Sequence, residues 1–148
     1  MRVAVGSDHA GVEGRRAAVE VLERLGADVH ELGTPGEASD YPDHAHPVAR
    51  AVVAGEARFG VLVCGTGLGM AMAANRHRGV RAAVITDELT ARLARAHNDA
   101  NIACFGERVI GPQRIRELLP IFLETSFDGG RHRVRVGKIE VAEGPLPD

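Results

Sequence analysis

Tryptophan is absent from this 148-residue chain, and aromatic residues make up only 3% of it. Bases stack on flat aromatic platforms, so single-stranded nucleic acid is a poor candidate partner. Cysteine is nearly absent too. Cys64 and Cys104 are the only two, which argues against a disulfide framework and for a reducing, cytoplasmic setting. No apolar run approaches the roughly 20 residues that span a bilayer. The strand-like run starts at Arg2, which leaves no secretion signal to expect ahead of the fold. A net charge of −2 supplies no general attraction to nucleic acid or an anionic membrane. Any anion site therefore has to come from local clustering.

What is present reads as one domain over residues 1–148: 45% hydrophobic and 26% charged residues suit a soluble globular fold. A chain of this length covers roughly two-thirds of its unfolded surface. Short β-branched runs alternate with helical patterns, the signature of βαβ units and a parallel sheet. Strands are expected over 2–6, 28–32, up to Cys64, over 80–85 and over 101–105. Helices are expected over 12–25, from the 33–42 loop to about 54, over 70–75, over 87–96, and after Gly111-Pro112. Pro120 should kink or end that last helix, because it lacks a backbone donor. The segment after Asp128 has no strong period until Val134.

Cys64-Gly65-Thr66-Gly67-Leu68-Gly69 is the most informative stretch. A thiol ends an apolar run, a Gly-rich turn follows, and a helix begins. That order presents free backbone N–H groups to an anion or a developing oxyanion. A cysteine beside such a terminus is suited to act as a base or nucleophile. The glycine spacing is looser than a dinucleotide fingerprint, and no Gly-Lys-Ser/Thr ending marks a P-loop. A tight βα turn with Cys64 as a small buried hydrophobe is the structural alternative.

Ser7-Asp8-His9-Ala10-Gly11 follows the first strand and should share an edge with the Cys64 loop, where parallel sheets bind ligands. Asp8 can shuttle a hydroxyl proton and His9 can donate to an anion; a helix cap and a solvated turn would explain the same residues. His44 and His46 are two apart, so on a helix they point to different sides, and no metal site is expected there. Tyr41, the only tyrosine, is either a substrate hydroxyl partner or a packed ring. In His97-Asn98-Asp99-Ala100-Asn101, a helix end explains His97 by the dipole and Asn98 by a left-handed cap. It does not explain the other two polar residues. Gly129-Gly130-Arg131-His132-Arg133-Val134-Arg135 gathers three arginines, whose guanidinium groups grip phosphate in bidentate fashion; a solvated basic tail is the alternative.

Taken together, Gly6-Ser7-Asp8-His9-Ala10-Gly11, Asp40-Tyr41-Pro42, the Cys64–Gly69 loop, Ala74-Asn75, His97 to Asn101 and Gly129-Gly130-Arg131-His132 resemble the ribose-5-phosphate isomerase B family, relatives of the galactose-6-phosphate isomerase subunits. The resemblance runs nearly the whole chain. It implies a Rossmann-like, three-layer α/β/α sandwich with a five-stranded parallel sheet, no metal or organic cofactor, and a homodimer, often paired further into tetramers, with the C-terminal tail at the dimer interface.

The implied substrate is a sugar phosphate, interconverted between aldose and ketose through a cis-enediolate. Cys64 matches the proton-transferring base. Some members use a carboxylate a few positions later, but Met70-Ala71-Met72 has none. His97, assisted by Asp8, matches the ring-opening group. Thr66 with Gly65, Gly67 and Gly69 matches the enediolate cradle. Tyr41 and Asn98 match hydroxyl contacts, and His9, Arg108, Arg131 and Arg135 match the phosphate grip. The 34–39 loop has its own sequence and leaves sugar length open, so tetrose 4-phosphate, allose 6-phosphate and galactose 6-phosphate stay as alternatives to ribose 5-phosphate. A nucleotide-binding module that does no chemistry is the alternative from another class. Cys64 ends a strand whereas His97 leads into one, which puts them at opposite sheet edges. The expectation is a site shared by two subunits.

Overall fold

β3 reads Phe-Gly-Val-Leu-Val-Cys and is buried at every position, as a parallel strand covered on both faces must be. The structure is a computed structural model that describes residues 1–32 and 37–140. Its strands are β1 (Arg2–Ser7), β2 (Asp28–Glu31), β3 (Phe59–Cys64), β4 (Ala82–Val84) and β5 (Ile102–Gly106). They form one five-stranded sheet in the order β2-β1-β3-β5-β4, parallel at every pairing. Between and after them run α1 (Val12–Arg24), α2 (Tyr41–Val53), α3 (Leu68–Ala74), α4 (Glu88–Ala96), α5 (Glu107–Glu124) and α6 (Arg131–Val136).

Alternate strand residues face opposite layers. Val61, Val63 and Phe105 pack with Leu22 of α1, Ala91 of α4, and Ile115, Leu118 and Phe122 of α5. Leu62, Cys64, Ile102 and Cys104 pack with Val48 of α2 and Met70 and Ala74 of α3. The result is the three-layer α/β/α sandwich. Each fully buried Leu or Phe contributes about 1.5–3 kcal/mol over leaving it in water. The chain runs outward from β1 to β2, then crosses back to β3 on the other side. This places the topological switch point, where such folds bind ligands, between β1 and β3.

Five local expectations change. β4 is shorter than 80–85: at its start the Arg81 N–H donates to Asn101 Oδ1 at 2.8 Å rather than to a backbone carbonyl of β5, while Asn75 closes the outer edge of the strand. Asn75 Nδ2 donates to the Ala82 carbonyl at 2.9 Å, and the Ala82 N–H donates to Asn75 Oδ1 at 2.8 Å. α3 starts at Leu68, two residues before the expected 70. α5 starts earlier than expected, at Glu107, and breaks at Gly111 (φ 74°, ψ 164°). Pro112 then opens its second segment, a position where the missing N–H costs nothing. Helical backbone runs through Pro120 to Glu124, held by Leu118, Leu119 and Phe122, all fully buried. Finally, the segment read as lacking period contains the short helix α6. Residue 33, the 34–36 part of the 34–39 loop, and the tail 141–148 lie outside the described residues.

Candidate active site

The loops leaving β1 and β3 meet across the switch point. With the starts of α2 and α5 they enclose a cavity of about 230 Å³ lined by Asp8, His9, Tyr41, Cys64, Gly65, Thr66, Gly69 and Arg108 among others. Cys64 is 5% exposed and its Sγ accepts a hydrogen bond from the Gly67 N–H at 3.1 Å. That donor is aimed at the atom where charge develops when a thiol gives up its proton. Gly67 has φ +79°, in the left-handed region that glycine adopts without strain, and this turn brings its N–H round to the sulfur.

The loop differs from expectation in one respect: two of its N–H groups are already engaged within it. Gly67 serves Cys64, and the Leu68 N–H donates to Thr66 Oγ1 at 3.3 Å. Thr66 thus both lines the cavity and shapes the turn. Cys104 shares the same sheet face, but burial, helped by the nearby Cys64, pushes its thiol far above the ordinary range. It is no candidate base.

Tyr41 opens α2 and lays its ring across the first turn of α3. A Cβ at Gly69 would sit 2.7 Å from that ring, so glycine is what admits the tyrosine. Asp8 is not a helix cap; Gly11 holds that position. The Asp8 Oδ1 instead accepts from the Ala10 N–H at 2.9 Å, closing the turn while its carboxylate faces the cavity. His9 Nδ1 lies 3.1 Å from the Ser39 carbonyl oxygen. The Arg108 N–H donates to the Gly65 carbonyl at 3.0 Å, which fixes the start of α5 against the Cys64 loop.

His97, Asn98, Arg131 and Arg135 are not among the residues lining this cavity. His97 caps the C-terminal end of α4, at the amino edge of the sheet just before β5. α5 carries the chain back to that edge, where the Asp128 N–H donates to the Ala96 carbonyl at 2.9 Å. This tether sets α6, with Arg131 and Arg135, beside His97. Asn98 is exposed and borders a separate cavity of about 540 Å³ with Arg76, His77, Arg81 and Ile139.

The other polar residues of that stretch are structural. Asp99, not Asn98, takes the left-handed turn (φ 46°) and pairs with Arg95 at 2.6 Å and Arg81 at 3.2 Å. Asn101 Oδ1 accepts from the Arg81 N–H at 2.8 Å. His44 and His46 have separate partners, Ser39 Oγ and His77 Nε2. Sequence reasoning quoted His132 without giving it a role. The structure stacks its ring on His97, centroids 4.1 Å apart and planes 10° from parallel.

Known proteins share this fold. A solved structure of Clostridium thermocellum ribose-5-phosphate isomerase B superposes with a TM-score of 0.92 at 46% identity, over 94% of this chain and 95% of that one. Ribose-5-phosphate isomerase B of Escherichia coli is 40% identical, covering 96% of each protein. D-erythrulose-4-phosphate isomerase of Pectobacterium atrosepticum is 36% identical over 94% of this chain and 93% of its own length. The fold and these relatives define an aldose–ketose isomerase acting on sugar phosphates, of the ribose-5-phosphate isomerase B type. The family model described as Ribose/Galactose Isomerase matches residues 3–139, and the chain belongs to that family. Among the described residues, no helix is long and apolar enough to cross a membrane.

Proposed function

We propose that the enzyme interconverts D-ribose 5-phosphate and D-ribulose 5-phosphate through a cis-enediolate, in the cytoplasm, at a site that two subunits complete. The observation that carries this reading is Cys64. It is a thiol in the wall of a polar cavity, with a backbone donor on its sulfur and no carboxylate in the Met70-Ala71-Met72 stretch that follows.

With the aldose open, Cys64 as thiolate takes the C2 proton and returns it to C1. Between those steps the proton on O2 passes to O1, so charge moves between the two oxygens and nothing is gained or lost overall. Thr66 and the Gly65–Gly69 backbone face that charge, and preorganised donors of this kind usually supply the largest share of stabilisation. Asp8 and the partner's copy of the His97 side chain open the furanose ring by moving a proton between O1 and the ring oxygen. Tyr41 and Asn98 hold hydroxyls. His9 and Arg108, with the arginines of α6 from the other subunit, grip the phosphate, whose remote binding energy keeps the reacting carbons in register. One base and fixed dipoles suffice for this chemistry, so it calls for no metal or organic cofactor.

The Pectobacterium relative, named for a four-carbon ketose phosphate, keeps shorter sugars as a second reading, and the family description Ribose/Galactose Isomerase keeps longer ones. Isomerisation rates across four-, five- and six-carbon aldose and ketose phosphates test the assignment. The expected result is highest kcat/KM on the pentose pair. A higher value on a tetrose or hexose phosphate would move the substrate and leave the base in place.

A further inference from the structure

The imidazole of His97 has close neighbours that the reaction scheme above does not use. His132 is 8% exposed, and its ring lies flat against the His97 ring at 4.1 Å and 10°. Asp128 places Oδ2 3.9 Å from His97 Nε2. The three side chains each bring a potential metal ligand within 4.8 Å of the others. Nitrogen lone pairs lie in the ring planes, however, and two parallel planes do not converge on one ion. The arrangement is that of a stack.

We infer that His132 is a positioning residue: its buried ring is the platform that fixes the plane of His97 for opening the sugar ring, with Asp128 alongside. This rests on the reading of His97 as the ring-opening group. The stack is built by the backbone. Gly129 (φ +67°) and Gly130 (φ +53°) turn the chain, the His132 N–H donates to the Gly129 carbonyl at 3.0 Å, and the Asp128 N–H anchors the turn to the end of α4. His97 itself is a cap residue at a helix end with a side chain 38% exposed. Without a flat neighbour it would be free to rotate, and a reacting group displaced by about 1 Å costs on the order of 10²-fold in rate. Burial first, then His97 and the arginines at 131 and 135, hold the His132 imidazole below its ordinary titration range. A neutral platform can underlie His97 in either of its protonation states without like-charge repulsion.

Sugar chemistry supplies the test. Ribose 5-phosphate closes a furanose through its C4 hydroxyl, so it must be opened. Ribulose 5-phosphate has its C5 oxygen esterified and stays open. The variants are His132→Gln, which fills similar space without a flat ring, and His132→Phe, which keeps the flat ring without the nitrogens. His97→Ala is the reference, and all three are assayed in the full-length protein for turnover of ribose 5-phosphate and for exchange of the C1 hydrogen of ribulose 5-phosphate with D2O, which needs no ring opening, with inhibition by inorganic phosphate reporting whether α6 is still seated.

The expected result is that His132→Gln loses ~10–100-fold in kcat/KM from ribose 5-phosphate and keeps its rate of C1 hydrogen exchange on ribulose 5-phosphate. His132→Phe should recover most of the loss, with phosphate inhibition intact in both. Equal loss in turnover of ribose 5-phosphate and in C1 exchange on ribulose 5-phosphate, loss of phosphate inhibition, or a Phe variant no better than Gln would each make His132 merely structural and overturn the inference. Unchanged rates would overturn it as well. If His97→Ala is selective, losing turnover of ribose 5-phosphate but keeping C1 exchange on ribulose 5-phosphate, and His132→Gln is not, the inference fails alone. If His97→Ala is not selective either, the ring-opening reading fails and takes the inference with it.

Discussion

Two cysteines on one face of one sheet have opposite environments. Cys104 sits mid-strand in β5 and is fully buried, where a thiolate would lack solvation. Cys64 ends β3, borders the cavity, and has the Gly67 N–H on its sulfur. Only the second can exchange a proton with a substrate. Cys64→Ala should therefore lower kcat by about 10²–10⁴-fold, the usual contribution of a general base, with the thermal transition retained, since the change removes a single buried atom. Near-normal turnover by a folded variant would return Cys64 to the role of a small hydrophobe. At this scale the sequence was most legible where chemistry and position coincide. A thiol at a strand end before three glycines could be read directly, whereas the positions of Asp99 and Asn101 could not. Their roles depend on Arg81 and Arg95, which only the folded β4–β5 edge brings near.

At the scale of elements, the strands and central helices follow from hydrophobic period, since β-branched runs covered on both faces have few alternatives. The misreadings fall where a side chain or the core overrides local pattern: Asn101 taking the Arg81 N–H at the start of β4, Pro120 kept helical by its buried neighbours, and α6 too short to show a period. α6 carries a functional prediction. Arg131 and Arg135 are exposed on it, and each charge-assisted contact to phosphate is worth ~1.5–3 kcal/mol. Arg131→Ala and Arg135→Ala should each weaken inhibition by inorganic phosphate roughly 10–100-fold by that energy; unchanged inhibition constants in both would make the helix a solvated basic segment.

A second element-level prediction concerns pH. His46 Nδ1 and His77 Nε2 are 2.8 Å apart, joining α2 to the segment after α3. Burial first, then His46 and Arg50, lowers the His77 pKa below 6.5. Above that value neither folded nor unfolded chain binds the proton, so stability is unaffected. As pH falls below it, the unfolded chain takes the proton first and stability drops, levelling once folded His77 is protonated too. Wild type should thus lose more Tm than His77→Gln between roughly pH 7 and pH 5, and equal losses would clear His77.

At the scale of the molecule, the fold separates residues that the proposed reaction must join. Cys64, His9 and Arg108 lie at the carboxyl edge of the sheet, while His97 and α6 lie at the amino edge, fastened there by the Asp128–Ala96 hydrogen bond. One parallel sheet cannot fold its two edges onto one sugar. A two-fold partner can bring its amino edge to the other's carboxyl edge, and symmetry then makes two equivalent composite sites. Complementation follows from that geometry. Assayed by turnover of ribose 5-phosphate, Cys64→Ala and His97→Ala are each expected to be nearly inactive as pure dimers. After mixing and exchange, about half the dimers are hybrids. In a hybrid, one site combines both defects and the other combines an intact Cys64 with an intact His97, so about a quarter of wild-type activity should return. If each chain held a whole site, no combination could make an intact one. Hybrids verified by mass spectrometry or tagged pull-down that recover no activity would therefore show that the site is not shared.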